Sequence, residues 1–122
     1  MHIEQLREYC IAKKGVTEHF PFDDVTLVFK VMNKMFLLTG LTSWEKGNPS
    51  VNTKCNPEKA IELREEYKGI IAGYHMSKKH WNTVKGAEGE FSDAFFKKLI
   101  DNSYELVISK FTKKLKEELK NL

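Results

Sequence analysis

Between Tyr74 and Val84 the chain reads YHMSKKHWNTV, a stretch that gathers two imidazoles, two ammonium groups, a phenol, an indole and a thioether. Three kinds of chemistry are open to such a set. His75 and His80 could approach each other across a bend, but a metal site needs a third ligand, and His2, His19, Cys10, Cys55 and Asp24 stand at no recognised ligand spacing. Covalent or acid–base catalysis finds no support either. There is no G-x-S-x-G elbow, no glycine-rich phosphate loop and no H-E-x-x-H, while Asp101, Ser103 and Tyr104 lie on a helical repeat that suits packing. What remains is non-covalent. Lys78 and Lys79 can displace counterions from phosphates, and His80 or Trp81 can stack on a base. An indole also fills interiors and an imidazole also caps turns, so both residues keep a structural reading beside the functional one. The expectation is a binding protein with no catalytic residue, no metal and no cofactor.

Positioning these groups requires elements, and periodicity supplies them. Ile3, Leu6 and Cys10 recur at helical spacing, which predicts a helix over residues 2–13, with Gly15 as its stop. Val25, Leu27, Phe29 and Val31 alternate with Thr26, Val28 and Lys30; after Asn33 and Lys34 comes a second apolar run, MFLLTGL, and the pair reads as a β-hairpin. SWEKGNP is expected to be a loop. Val51, Thr53 and Cys55 form a third strand, and Asn56 with Pro57 caps and starts a second helix that carries Ala60, Leu63 and Tyr67 inward as far as Gly69. Two more strands are expected over residues 70–76 and 81–85, with a bend at Ser77, Lys78 and Lys79 and a turn over Gly86–Gly89. On that parity Tyr74 and Met76 face inward and His75 outward, while Trp81, Thr83 and Lys85 share the open face. Phe96, Leu99, Ile100, Ser103 and Val107 lie on one face of a helix capped by Ser92 or Asp93, and Thr112 starts a basic tail helix.

The order α-β-β-β-α-β-β-α-α, with short turns between neighbouring strands, implies an α+β fold. It has two layers, one of them a five-stranded antiparallel sheet. A chain of 122 residues suits a single domain over residues 1–122, and its 41% hydrophobic content suits a globular one. No apolar run is long enough to cross a bilayer, and Glu117 and Glu118 among the tail lysines argue against a membrane surface. MHIEQLREYC has no signal core, so a cytoplasmic protein with reduced Cys10 and Cys55 is expected.

Charge is divided unevenly. Residues 25–57 and 67–87, which hold every expected strand, carry eight lysines against Glu45 alone, a net of +7, although the whole chain carries only +3. Cations concentrated on a sheet whose other face is covered by acidic helices would suit a polyanion, or would simply keep exposed strands soluble. Arg7 and Arg64, the two arginines, both fall on helices, so little base-specific readout is expected.

PFDDVTLVFKVMNKMFLL, VNTKCNPEKAIELREEY, HMSKKHWNTV and LIDNSYELV, in that order, resemble the MmcQ/YjbR family of small bacterial proteins over nearly the whole chain. That resemblance implies a secretion-chaperone-like α-β(3)-α-β(2)-α fold with an extra C-terminal helix, and DNA binding through paired hairpins likened to a double wing. The family pattern falls on Lys30, Lys34, Lys54, His75, Lys78, His80, Trp81, Ser103 and Tyr104; Ser77 stands where many relatives carry asparagine. Together the residues and the resemblance nominate Lys30, Lys34, Lys54, Lys78, Lys79, His80, Trp81 and Lys85 as a nucleic-acid-binding set. The expected partner is DNA, or alternatively an unidentified protein or small ligand held near Trp81, His80 and Lys54, with a monomer as the favoured state.

Overall fold

The computed structural model describes residues 1–86 and 91–122, so the turn expected over Gly86–Gly89 lies, from residue 87 onward, outside the described residues. The chain opens with α1 (Ile3–Ile11), whose start is closed by a capping box between His2 and Gln5. Gly15, at φ 76°, then turns the chain into β1 (Val16–His19). This strand is absent from the sequence expectation, and it raises the sheet from five strands to six among the described residues. Only Val16 of its four residues is aliphatic, so no alternation announces it; its backbone pairs with the next strand, and Glu18 is gripped by Arg7 of α1 at 2.7 and 3.0 Å.

Next come β2 (Thr26–Val31) and β3 (Lys34–Gly40), joined through Met32 and Asn33, both with positive φ, as a two-residue hairpin turn needs. The expected loop at residues 43–49 begins inside a short helix, α2 (Leu41–Glu45), which Trp44 ties back to the sheet by donating from Nε1 to Thr39 Oγ1 at 2.7 Å. β4 (Ser50–Lys54) leads into α3 (Pro57–Glu66), where Asn56 accepts from the amides of Glu58 and Lys59 as expected of a cap. β5 (Ile70–Ala72) lies at the sheet edge, and β6 (Trp81–Lys85) returns between it and β4. The last elements are α4 (Asp93–Ser109), capped by Ser92, and α5 (Lys113–Lys120), capped by Thr112.

The sheet order is β1-β2-β3-β4-β6-β5, antiparallel at every pairing. Leu27, Phe29, Leu37, Val51 and Val84 face the helices, where they join Leu6 and Cys10 of α1, Leu63 of α3 and Ile100, Tyr104 and Val107 of α4 in the main core. Each such side chain contributes about 1.5–3 kcal/mol on burial, so this layer dominates stability. α5 closes one corner: Leu119 is buried, and a Cβ at Gly15 would stand 2.6 Å from its Cδ1, so glycine is needed there for close approach as well as for its backbone angle.

Candidate functional site

The register fixes what lies on the face away from the helices. His19, Val28, Leu38, Asn52, Thr83 and Ile71 stand opposite one another in a single row across all six strands. One step toward the β2–β3 turn, Lys30 pairs with Met35 and Lys54 with Trp81; one step the other way, Thr26 pairs with Gly40 and Ser50 with Lys85. Trp81, Thr83 and Lys85 therefore share this face, as their parity predicts.

This face is not bare. β5 ends at Ala72, three residues into the expected strand of seven, because Gly73 turns the chain over β6 with its amide on the Trp81 carbonyl at 2.8 Å. A Cβ at Gly73 would meet Trp81 Cβ at 2.8 Å, so only glycine permits that approach. The Tyr74 amide then donates to Thr83 Oγ1 at 3.0 Å, and Thr83 Oγ1 donates to Asn52 Oδ1. Met76 follows, and with Val28, Leu38, Met35 and Trp81 it builds a second, smaller hydrophobic cluster on the open side. Tyr74, expected to face inward, is 69% exposed because the alternation that would have buried it stops with the strand. His75 adopts φ 58°, unusual for a residue with a Cβ, and its ring lies 4.0 Å from that of Tyr74.

Between this segment and the sheet runs a groove of about 530 Å³, lined by Phe22, Met35, Leu38, Asn52, Tyr74 and His75 among others. Phe22 is 64% exposed at its rim. Sequence reasoning missed Phe22, Met35, Leu38 and Asn52 as site residues. The one available signal was Phe22 in PFDD, an aromatic among turn formers and outside any alternation.

The nominated lysines divide into two groups. Lys30 and Lys54 project from the sheet, Lys34 follows the β2–β3 turn, and Lys78 and Lys79 lie in the bend that precedes Trp81 and is anchored by the Cys55 amide on the His80 carbonyl at 2.8 Å. These five, with exposed His80, occupy one end of the sheet. Lys85 lies at the opposite end, across from Ser50. Among the described residues none of Lys30, Lys34, Lys54, Lys78 and Lys79 pairs with a carboxylate, whereas Lys13 is held by Asp101 and Lys59 by Glu62. Lys54 instead stands 5.9 Å from the Trp81 ring centroid, over an indole that is 7% exposed.

Ser103 holds Lys54 in place. The β3–β4 ladder runs from Leu37–Thr53 to Thr39–Val51, so the next pair, Phe36 and Lys54, would exchange a hydrogen bond were the strands not splayed by the bulge beside Phe36. The fully buried Ser103 hydroxyl fills that gap, accepting from the Lys54 amide at 2.8 Å and donating to the Phe36 carbonyl. Tyr104 is a packed aromatic, edge-on to Phe36 at 5.5 Å, with its hydroxyl donating to the Lys14 carbonyl at 2.6 Å; burial raises its pKa. Burial likewise pushes the Cys10 thiol up to about 12. Neither group is poised for proton transfer near neutral pH.

The YjbR family model matches residues 11–106. The uncharacterized protein YbdF of Escherichia coli O157:H7 is 38% identical over 95 residues, 78% of this chain and 75% of its own length. The uncharacterized protein YjbR of Escherichia coli K12 is 29% identical over 109 residues, 89% of each chain. Among solved structures, the Deinococcus radiodurans protein DR2400, which carries a DUF419 domain, superposes with a TM-score of 0.86 at 39% identity, covering 97% of this chain and 87% of its own. A Pseudomonas syringae protein follows with a TM-score of 0.72 at 26% identity, covering 87% and 98%.

Proposed function

The chain belongs to the YjbR family, and on that footing we propose that it binds DNA through the end of the sheet that carries Lys30, Lys34, Lys54, Lys78 and Lys79. The observation that carries this reading is the gathering of those five lysines at one end of one sheet, none of them with a carboxylate partner among the described residues. Ammonium groups left without counter-charges on neighbouring strands and bends keep condensed anions that a phosphate backbone can replace, and the entropy of that release drives association. Affinity is therefore salt-dependent and only weakly dependent on sequence, because lysine positions a backbone without reading base edges. Lys85, at the far end, lies outside this surface and makes a minor contribution.

Fluorescence anisotropy with a labelled generic duplex, titrated over a salt series, tests the proposal. Binding is expected to weaken steeply as salt rises. The triple variant Lys30→Ala/Lys54→Ala/Lys78→Ala should lower the log–log salt slope by up to about 2.7, roughly 0.9 for each phosphate no longer neutralised. Thermal unfolding of that variant should stay near wild type, and the control pair Lys46→Ala/Lys68→Ala should bind like wild type. No salt-sensitive binding at low ionic strength would overturn the reading.

A further inference from the structure

From the groove over the Leu38–Asn52 row we infer that this surface takes single-stranded nucleic acid, seating an unstacked base between Phe22 and the Tyr74–His75 pair while flanking lysines hold its phosphates. This rests on the proposed polyanion binding and adds what that reading lacks, a recognition element for the base itself.

Four features converge on such an occupant. At about 530 Å³ the groove falls within the range of about 300–1,000 Å³ typical of pockets for small-molecule-sized groups, which includes a nucleotide. Its floor, made by Met35 and Leu38, is apolar and polarizable, and its walls offer exposed ring faces on Phe22, Tyr74 and His75. A base has a π-face whatever its identity, so such rings serve any sequence. Asn52 adds an edge group: its Oδ1 is occupied by the Thr83 hydroxyl, which turns the amide so that Nδ2, with no partner among the described residues, is left as a donor for a ring carbonyl or nitrogen. Charge completes the match. The lining residues named here carry no formal charge with histidine neutral, while Lys30, directly across from Met35, and Lys54, two residues along β4 from Asn52 and so about 7 Å away, border the groove on the cationic side. An uncharged slot beside unpaired ammonium groups fits a flat neutral ring attached to an anionic chain.

Double-stranded DNA cannot supply that ring, because its base faces are covered by stacking. The left-handed backbone of His75 belongs to the same device. It sets the imidazole against Tyr74 and makes one continuous wall, and such local strain is held where surrounding structure over-determines it, here by Gly73 and the Tyr74–Thr83–Asn52 hydrogen-bond chain.

The test compares a labelled twelve-residue oligothymidylate with a twelve-residue abasic strand of equal charge, and with a twelve-base-pair duplex, using wild type and Phe22→Ala/Tyr74→Ala. Both replaced side chains are more than 60% exposed, so the variant should fold. Wild type is expected to bind oligothymidylate at least about tenfold more tightly than the abasic strand, and the variant should lose that margin while keeping its abasic and duplex affinities. Equal affinity of wild type for both strands overturns the inference and leaves the polyanion reading standing. A margin that survives in the variant, or a variant equally weakened on duplex, also overturns it. Binding to none of the three at low salt removes both.

Discussion

Ser103 is the residue on which the sheet and the α4 helix are joined. Its hydroxyl accepts from the Lys54 amide and donates to the Phe36 carbonyl, so Ser103→Ala removes two hydrogen bonds from the interior at once. The expected loss is about 1–3 kcal/mol, read as a lower urea midpoint with unchanged slope. A second expectation concerns the thiols. Burial raises both, Cys10 to about 12 and Cys55 less, so iodoacetamide at pH 8 should leave Cys10 unmodified in the native protein and modify it only after unfolding. A third is acid sensitivity. The Arg7 guanidinium holds the Glu18 carboxyl below its ordinary value, so the stabilisation it brings is fully present above the usual carboxylate range and is lost as pH falls through the lowered value. Between pH 7 and pH 3 the wild type should therefore lose more stability than Glu18→Gln, by urea titration at each pH. Asp23, lowered by the amides of Val25 and Thr26, shifts both proteins alike.

Among the elements, the segment from Gly73 to His80 does most to shape the candidate site. Gly73→Ala would drive a methyl into Trp81, lift the segment and uncover the small cluster beneath it. In a Trp44→Phe background, Trp81 emission should shift to longer wavelength and become easier to quench with acrylamide, while the main core keeps the protein folded. Elements with an apolar rhythm were legible in the sequence: β2, β3, β4, β6, α1 and α4 lie within a few residues of their expected positions, and the caps at Asn56, Ser92 and Thr112 are where their side chains suggest. β1 was not, since VTEH has no alternation and is held by a backbone ladder to β2 and an ion pair to the helix before it. Nor was the early end of β5. Ile70–Met76 keeps a strand-like pattern, yet the chain leaves the sheet where Gly73 meets Trp81, a meeting that exists only in three dimensions.

At the scale of the molecule, the uneven charge was legible and its spatial arrangement only in part. All the lysines counted in the strand-bearing segments were expected to converge, but antiparallel pairing sends Lys85 to the opposite end from Lys30 and Lys54. A four-residue step along a strand, about 13 Å, exceeds the screening distance at physiological salt, so the two ends act as separate fields. Exchanging Lys85 for alanine should accordingly change DNA affinity less than twofold in the anisotropy assay, against a loss of tenfold or more for the triple variant. The groove was illegible because its walls come from the β1–β2 connection, the strands β2, β3 and β4 and the β5–β6 connection, brought together by pairing between residues far apart in the chain.

The insertion of β6 between β4 and β5 has a further consequence during synthesis. As the chain leaves the ribosome, Ser50–Lys54 emerges well before Trp81–Lys85, and for that interval its outer backbone groups have no strand to meet. A nascent or truncated product ending in α3 would expose that ladder and should accumulate as insoluble material, held in solution only by a chaperone until the last strand arrives.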